Sequence, residues 1–252
     1  GLTRIMALYK DKDVPLIGPV RSSRHYFLDY SLESDAIYAH FGWSPYAEKD
    51  IKYLNVKNIN GLTDDTPYWR DSKSKAPHNV FTSTEKIRSY LKNKKYSESS
   101  EDWKLLKYTP DEINLSKIDE TNAITANEIS INYSAYQNRS YTYDIENKYY
   151  LRLMNGKAHI DKTSNNQLNY KNIIIEKVNN INLDNEGRQD LATTGSGTGY
   201  YITNGYALPI NWTKASRSAK TKYTYSNGTE IKVNDGNTFI QIVPLDSNIE
   251  IE

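Results

Sequence analysis

The sequence lacks cysteine altogether, and this absence sets the first limits on its chemistry. Disulfide bonds, thiol nucleophiles and thiolate metal sites are excluded for this chain. Apolar runs are short, and none approaches the roughly 20 residues that a membrane-spanning helix requires. The opening ten residues have the pattern of a strand rather than of a signal peptide. A water-soluble folded chain is therefore expected.

Phenylalanine and tryptophan are scarce, with 4 of each, whereas tyrosine occurs 22 times. Most of the aromatic surface thus carries a hydroxyl group, which suits half-exposed sheet surfaces and wet grooves. The charged fraction of 25% is that of an ordinary soluble protein. At 252 residues, the chain has room for one large or two ordinary domains.

Net charge is only +1, but it is unevenly distributed. Residues 1–110 hold 18 basic and 14 acidic side chains, while the remaining residues hold 14 and 17. Eight basic and two acidic side chains fall between Trp69 and Lys95. This stripe would either attract a polyanion or form a solvated basic helix and loop. Because the net charge is low and no nucleic-acid module is recognised, no nucleic-acid partner is expected.

Strand and helix patterns alternate over the first 110 residues. Mostly apolar runs predict strands at residues 3–9 and 35–41. Capping signals predict three helices. The predicted starts are Ser22 or Ser23, Ser44 before Pro45, and Thr82 with Glu85 three residues on. Alternation of this kind favours an α/β domain, a sheet covered by helices, over residues 1–110.

The hydrophobic period changes to two in the second half of the chain. Residues 111–125 are weakly patterned and are predicted to be a linker, and residues 126–252 to be an antiparallel β-rich domain. Asn204-Gly205 and Asn227-Gly228 each separate two predicted strands, which is a strong hairpin signal. The fold class predicted for the whole chain is α+β, an N-terminal α/β domain followed by this β domain.

Two stretches resemble the YerB-like family of bacterial lipoproteins, whose biochemical function is not established. The first contains the block Pro19-Val-Arg-Ser-Ser-Arg24, and the second the Gly-rich block Gly195-Ser-Gly-Thr-Gly199. The full segments are 17–29, 35–40, 42–45, 69–71 and 76–79, then 194–205, 209–212 and 239–244. These segments span both predicted domains, so the resemblance covers nearly the whole chain.

The resemblance implies an extracytoplasmic protein held at the cell membrane by a lipid anchor. Family members of this kind carry an upstream signal peptide and a lipidated cysteine, so the first domain is expected to lack upstream residues here. Contact with a membrane would then occur only through that anchor.

Candidate ligand-binding residues lie in or beside the first block and in a polar loop after it. They are Arg21, Arg24, Arg70 and Asn79. A spacing of four places Arg21 at the head of a stripe with His25, Asp29 and Glu33 on the predicted helix. The helix dipole disfavours a cation at the helix start, so an anionic ligand or another segment's carboxylate is expected beside Arg21. A solvent-exposed face of alternating charge is the alternative.

Candidate catalytic residues are His40, His78, Asp29 and Asp71. His40 or His78 would act as a base, oriented by a carboxylate such as Asp29 or Asp35. Ser44 follows His40 closely, but it is better explained as a helix cap, since no Gly-x-Ser-x-Gly elbow occurs.

Other ligand classes have weaker support. No short metal-ligand spacing such as His-Glu-x-x-His occurs, so neither a metal nor a cofactor is expected. A strand pattern, not a helix pattern, follows Gly195–Gly199. We therefore expect those glycines to allow a close backbone approach rather than to cradle a phosphate.

Three functions stay open at this level. The leading one is a module of the bacterial envelope that binds an anionic or carbohydrate ligand through its arginines. An envelope-polymer hydrolase or transferase using His/Asp acid–base chemistry is the second. A scaffold for a membrane-associated protein partner is the third. Which of them applies depends on whether the candidate residues meet in space.

Overall fold

The structure is a computed structural model that describes residues 3–96 and 104–252. The chain forms two compact units. The α/β unit comprises Ile5–Leu105 and Arg217–Lys220. The β unit comprises Gly1–Arg4, Leu106–Ser216 and Thr221–Glu252. A short segment from late in the sequence is therefore part of the α/β unit.

The described residues contain both helices and many short strands. The helices are α1 His25–Glu33, α2 Pro45–Tyr53, α3 Thr84–Asn93 and α4 Leu115–Ile118. The strands up to the middle of the chain are β1 Tyr38–His40, β2 Asn58–Asn60, β3 Trp69–Arg70, β4 Val80–Phe81, β5 Tyr108–Thr109, β6 Ile124–Thr125, β7 Glu128–Ser134, β8 Gln137–Asp144, β9 Tyr149–Met154 and β10 Lys157–Ala158. The later strands are β11 Asn169–Tyr170, β12 Asn172–Val178, β13 Asn180–Asn182, β14 Gln189–Leu191, β15 Gly195–Thr203, β16 Tyr206–Lys214, β17 Lys222–Thr224, β18 Val233–Asn234, β19 Thr238–Pro244 and β20 Asn248–Ile251.

The α/β unit is built around an extended stretch, residues 17–23, which we call the connecting segment. On one side Ile17 bridges Thr82, and the Val20 N–H donates to the Val80 carbonyl at 2.7 Å. On the other side Ser23 bridges Trp43 in parallel. The segment thus joins the β3–β4 hairpin to the parallel pair β1–β2. Mixed strand pairs with helices follow the predicted α/β pattern.

Helix α1 begins later than the sequence predicted. Its N-cap is Arg24, which has extended backbone angles and no side-chain cap hydrogen bond. Arg21 therefore lies in the connecting segment, where its carbonyl accepts from the Phe41 N–H at 3.1 Å. The predicted stripe that placed Arg21 at the start of a helix is wrong, because strand pairing holds residues 21–23 extended.

The other two helix starts depend on serine caps. The Ser44 side chain accepts from the Ala47 N–H and precedes Pro45, as predicted. At α3 the cap is Ser83, which accepts from the Lys86 N–H, and not the predicted Thr82. The Thr82 hydroxyl instead donates to the Pro67 carbonyl at 2.7 Å. Thr82 ends a strand-like segment rather than starting a helix.

The strand predicted at residues 3–9 does not form. Its apolar side chains stay about half exposed, with Ile5 at 51% and Leu8 at 49%. An apolar run makes a strand only when a neighbouring strand takes up its backbone hydrogen bonds.

Two six-stranded sheets form the frame of the β unit. Sheet I has the order β10-β9-β8-β7-β20, with β11 also pairing β9, and sheet II has the order β17-β16-β15-β12-β19, with β6 also pairing β16. All strand pairs in the two sheets are antiparallel except β12–β19, which is parallel and departs from the predicted pattern. Residues 111–125, predicted as linker, contain α4 and β6.

Strand β12 contributes to two separate hydrophobic cores. Ile173 and Ile175 pack with inward residues of sheet I such as Ile131, whereas Ile174 packs with Leu208 on the opposite face of sheet II. All five side chains are at most 2% exposed. Sheet II is thus covered on both faces, which explains why three consecutive isoleucines, Ile173 to Ile175, occur in β12 instead of an alternating pattern.

The Gly-rich segment lies inside β15, in accordance with its predicted role as a close backbone approach. A Cβ atom added at Gly199 would overlap the backbone carbonyl of Ile175 on the neighbouring strand, and one added at Gly197 would meet the Trp212 indole. The Asn204-Gly205 turn that follows has positive φ at both residues and joins β15 to β16, as the sequence predicted.

We expect Gly199→Ala to lower the unfolding free energy of the β unit by about 3 kcal/mol, because the added methyl group would push β15 away from β12. Gly228→Ala is the control, since open space surrounds Gly228 and only its positive φ of 82° opposes a side chain. That change should cost about 1 kcal/mol. Thermal unfolding of both variants measures the difference, and equal losses would contradict the close approach.

Candidate functional site

The β3–β4 hairpin brings several of the predicted site residues together. Its loop, residues 71–79, is closed by a hydrogen bond from the Asp71 N–H to the Asn79 carbonyl at 2.8 Å. One Arg70 Nη donates to Oδ1 of Asn79 at 3.0 Å. The Asp71 carboxylate accepts from the Lys73 N–H and the Ser74 hydroxyl, so it organises the loop itself.

Arg21 reaches the same loop from the connecting segment. Its Nη1 atom lies 2.8 Å from Nδ1 of His78 and 3.3 Å from Nε2. A guanidinium can only donate, so the contacting nitrogen of His78 must be the unprotonated one. The Arg70 guanidinium lies 5.0 Å from the centre of the Phe41 ring, next to the backbone that pairs with Arg21.

We call Arg21, Arg70, His78 and Asn79 the cationic cluster. Within residues 3–96 and 104–252, no carboxylate lies within 4.0 Å of the Arg21 or Arg70 guanidinium. Their partners are a neutral imidazole, an amide oxygen and an aromatic ring. By contrast, Arg88 on α3 of the same unit pairs with Asp13 at 2.5 Å. Two guanidinium groups with only neutral partners form an electropositive surface.

His40 does not belong to the cluster. It is 1% exposed, its Nδ1 lies 2.8 Å from the Gly42 carbonyl, and its Nε2 lies 3.0 Å from Oδ1 of Asn58. Burial lowers the pKa of His40, although the hydrogen bonds to Gly42 and Asn58 act in the opposite direction. Neither His40 nor His78 bonds to a carboxylate in the part of the chain that the structure describes.

Asp29 and Arg24 also lie apart from the cluster. Asp29 is 3% exposed and forms an ion pair with Arg217, whose Nε lies 2.6 Å from Oδ1. Arg217 extends the network by pairing with Asp50 at 2.7 Å and donating to the His25 carbonyl. Arg24 donates to the Ser23 carbonyl at 2.9 Å. These contacts stabilise the start of α1 rather than present groups to a ligand.

The sequence candidates therefore divide into two sets. The structure brings together Arg21, Arg70, His78 and Asn79, with Asp71 shaping their loop, whereas Asp29, Arg24 and His40 take part in internal contacts. Sequence reasoning missed Arg217, because nothing near it in the chain marks an ion pair with a residue 188 positions away.

A separate cleft of about 480 Å³ runs along α3 on the other side of β3. It is lined by Pro15, Thr66, Trp69, Ser83, Glu85, Lys86, Ser89, Tyr90 and Asn93. The Lys86 ammonium lies 5.8 Å from the Trp69 ring centre. Trp69 precedes Arg70 on β3, so the two side chains point to opposite faces of the strand.

Comparison with known proteins places this arrangement in a family. Residues 1–97 match the N-terminal domain, and residues 129–240 the C-terminal domain, of the protein family of unknown function DUF3048. The protein named "Putative lipoprotein YerB" of Bacillus subtilis (strain 168) is 30% identical over 251 residues, 96% of this chain and 71% of that protein. The chain belongs to the YerB-like DUF3048 family.

The crystal structure of the YerB protein from Bacillus subtilis has the same fold, with a TM-score of 0.81 at 27% identity. The match covers 96% of this chain and 80% of the YerB chain. The cationic cluster falls within the N-terminal DUF3048 match. No helix among the described residues is long and apolar enough to span a membrane.

Asp29→Ala should lower the unfolding free energy of the α/β unit by about 3 kcal/mol, because it removes a buried partner from Arg217. Asp13→Ala is the matched control, since the Asp13 side chain is 91% exposed in its pair with Arg88. The control should cost less than about 1 kcal/mol. Hydrogen exchange of α/β-unit amides in urea measures both losses. Similar losses in the two variants would show that the buried Asp29–Arg217 pair stabilises the unit no more than the exposed Asp13–Arg88 pair does.

His40 should make the α/β unit less stable in mild acid. Its pKa is lowered in the folded state, so the unfolded chain takes up the proton first as the pH falls. The stability that neutral His40 contributes to the α/β unit is therefore fully present above about pH 6.5 and is lost as the pH falls below that value. Hydrogen exchange of β1 and β2 amides between about pH 5 and about pH 7.5 should reveal this slope, and His40→Gln should flatten it. If stability depends on pH as steeply in His40→Gln as in the original chain, the acid sensitivity arises from other titratable groups.

Proposed function

We propose that this protein is an extracytoplasmic lipoprotein that binds an anionic polymer of the bacterial envelope through the cationic cluster. The observation that carries the proposal is the set of neutral partners around Arg21 and Arg70. Here both planar groups retain the capacity to bind phosphate or carboxylate oxygens in pairs.

The surroundings of the cluster support a polymeric ligand. His78 is exposed, and Lys73 and Lys75 in the same loop are also exposed, so basic groups extend beyond the two arginines. Asn79 adds an amide that can bond to hydroxyl or phosphate oxygens. A stripe of cations with short-range hydrogen-bond donors suits a repeating anion better than it suits a single small molecule.

Family membership supports the proposed location. The Bacillus relative carries the name of a lipoprotein, and we extend that description to this chain. A lipid-anchored protein outside the cytoplasm would meet envelope polymers rich in phosphate or carboxylate groups.

The hydrolase or transferase alternative has less support from the geometry. An acid–base mechanism needs a histidine or carboxylate oriented by a second group beside a substrate surface. His78 is exposed but contacts a cation, and His40 is oriented but buried. Binding therefore accounts for the arrangement of the cluster without invoking a reaction.

Binding of the chain to polyglycerol phosphate, polygalacturonate and neutral dextran tests the proposal. We expect affinity for one or both anionic polymers, with a steep decline as salt rises, and none for dextran. Arg21→Ala and Arg70→Ala should each lower the affinity about tenfold, because each removes a charge-assisted hydrogen-bond donor.

Arg88→Ala is the matched control. It removes the same charge from the same unit, but Arg88 is already neutralised by Asp13. Its affinity should stay within about twofold of the unchanged chain. Equal losses in all three variants would indicate unspecific attraction, and binding that survives both cluster variants would exclude the cluster as the site.

A further inference from the structure

The β unit buries two arginines on neighbouring strands. Arg139 on β8 is 3% exposed, and Arg152 on β9 is 2% exposed. Strand register places Arg152 opposite Tyr141, two residues along β8 from Arg139. Both side chains therefore lie on the same inward face of sheet I. We call them the arginine pair.

Neutral groups surround Arg152. Its Nη1 donates to the Tyr141 hydroxyl and to Oε1 of Gln241 at 3.2 Å, and its Nε donates to Nδ1 of His159 at 3.2 Å. The Phe239 ring centre lies 4.6 Å from the guanidinium carbon. In the described part of the chain, Nη2 has no hydrogen-bond acceptor.

Arg139 is surrounded in the same way. Its Nη1 donates to the Asn138 carbonyl at 2.5 Å and to Oδ1 of Asn155 at 3.2 Å. Its Nη2 donates to the hydroxyl of Thr3 and to Oε1 of Gln137, both at 2.5 Å. The Nε atom is buried, and no partner for it occurs among the described residues. One guanidinium nitrogen on each arginine, Nε of Arg139 and Nη2 of Arg152, therefore has no acceptor among the described residues.

The described residues place no carboxylate beside the arginine pair. Across residues 3–96 and 104–252, no carboxylate lies within 4.0 Å of either guanidinium. Burial and the charge of Arg152 lower the pKa of Arg139, and burial with both arginines lowers the pKa of His159. Folded proteins rarely bury cations without a partner, because desolvation of a charge is strongly unfavourable.

An open cleft of about 430 Å³ adjoins Arg139. It is lined by Asn132, Ser134, Ala135, Tyr136, Asn138 and Asn155. The Asn138 carbonyl and the Asn155 side chain accept from Arg139 Nη1. The Asn138 side chain instead bonds to Ser130 and Asn132 on the outward face of sheet I, so Asn155 is the lining residue whose side chain contacts the guanidinium. The Asn155 side chain is exposed, and its Oδ1 accepts from the Asn138 N–H and from Arg139 Nη1.

We propose that the arginine pair is a binding site for an oxyanion, a carboxylate or phosphate group that reaches it past the Asn155 side chain. Planar guanidinium groups match two oxygens of such a group, and the unused donors on Arg139 and Arg152 are the contacts it would complete. The site lies on β8 and β9 and shares no residue with the cationic cluster, so it stands independently of the proposed function.

Titration of the whole chain with inorganic phosphate and, separately, with acetate at constant ionic strength tests the site. A saturable rise of about 3 °C in the unfolding midpoint of the β unit is expected at roughly ten times the dissociation constant. A response to acetate alone would identify a carboxylate site, and a response to phosphate alone a phosphate site. No saturable response to either anion would overturn the proposal.

Matched variants test whether the rise in unfolding midpoint comes from anion binding at the arginine pair. Arg139→Gln should abolish it, while Arg188→Gln should retain it, since Arg188 is paired with Asp184 and Glu186 in the same unit. An undiminished response in Arg139→Gln would also overturn the proposal. Arg21→Ala should leave the response unchanged, which separates this test from that of the cationic cluster.

A gain-of-stability variant keeps the test independent of folding defects. Gln137→Glu replaces the amide beside Arg139 Nη2 with a carboxylate. A built-in counterion should raise the unfolding midpoint without added anion and remove most of the response. If Gln137→Glu is no more stable than the original chain and its unfolding midpoint still rises fully with added anion, the proposal is overturned.

Discussion

Burial of β12 on both faces is the constraint on which the β unit depends. Ile173 and Ile175 belong to the core shared with sheet I, and Ile174 belongs to the core on the other side of sheet II. A strand with two buried faces leaves no polar face for water, so its backbone hydrogen bonds must be completed by β15 and β19. The pairing of β12 with β15 requires glycine at position 199, because a Cβ atom there would overlap the Ile175 carbonyl.

The connecting segment has the corresponding role in the α/β unit. Its backbone pairs with β4 through Val20 and with the end of β1 through Arg21, so the position of Arg21 is set by sheet pairing rather than by a helix. The same pairing brings Arg21 towards the loop that carries His78 and brings Phe41 under Arg70. The cationic cluster is thus a product of strand order.

Local sequence rules predicted the features whose cause is local. The Ser44 cap and the Asn204-Gly205 hairpin depend on neighbours within a few residues, and both form as predicted. The strand at residues 3–9 failed because a strand needs a distant partner. The same limit applies to the sites, since Asp29 pairs with Arg217 from 188 positions away. Arg152 offered a signal that was missed: a cation at an inward position of an alternating strand.

The arginines of this chain differ in what neutralises them, and the difference has a physical meaning. Arg217 pairs with two carboxylates, so its charge is balanced within the fold and its removal affects stability. Arg70 has an amide and an aromatic ring, which orient the guanidinium without cancelling its charge. Arg152 is held by a phenol, an amide and an imidazole while fully buried, where an uncancelled charge is far less tolerable than at the surface. Orientation without neutralisation is the arrangement expected of a group that awaits an anion.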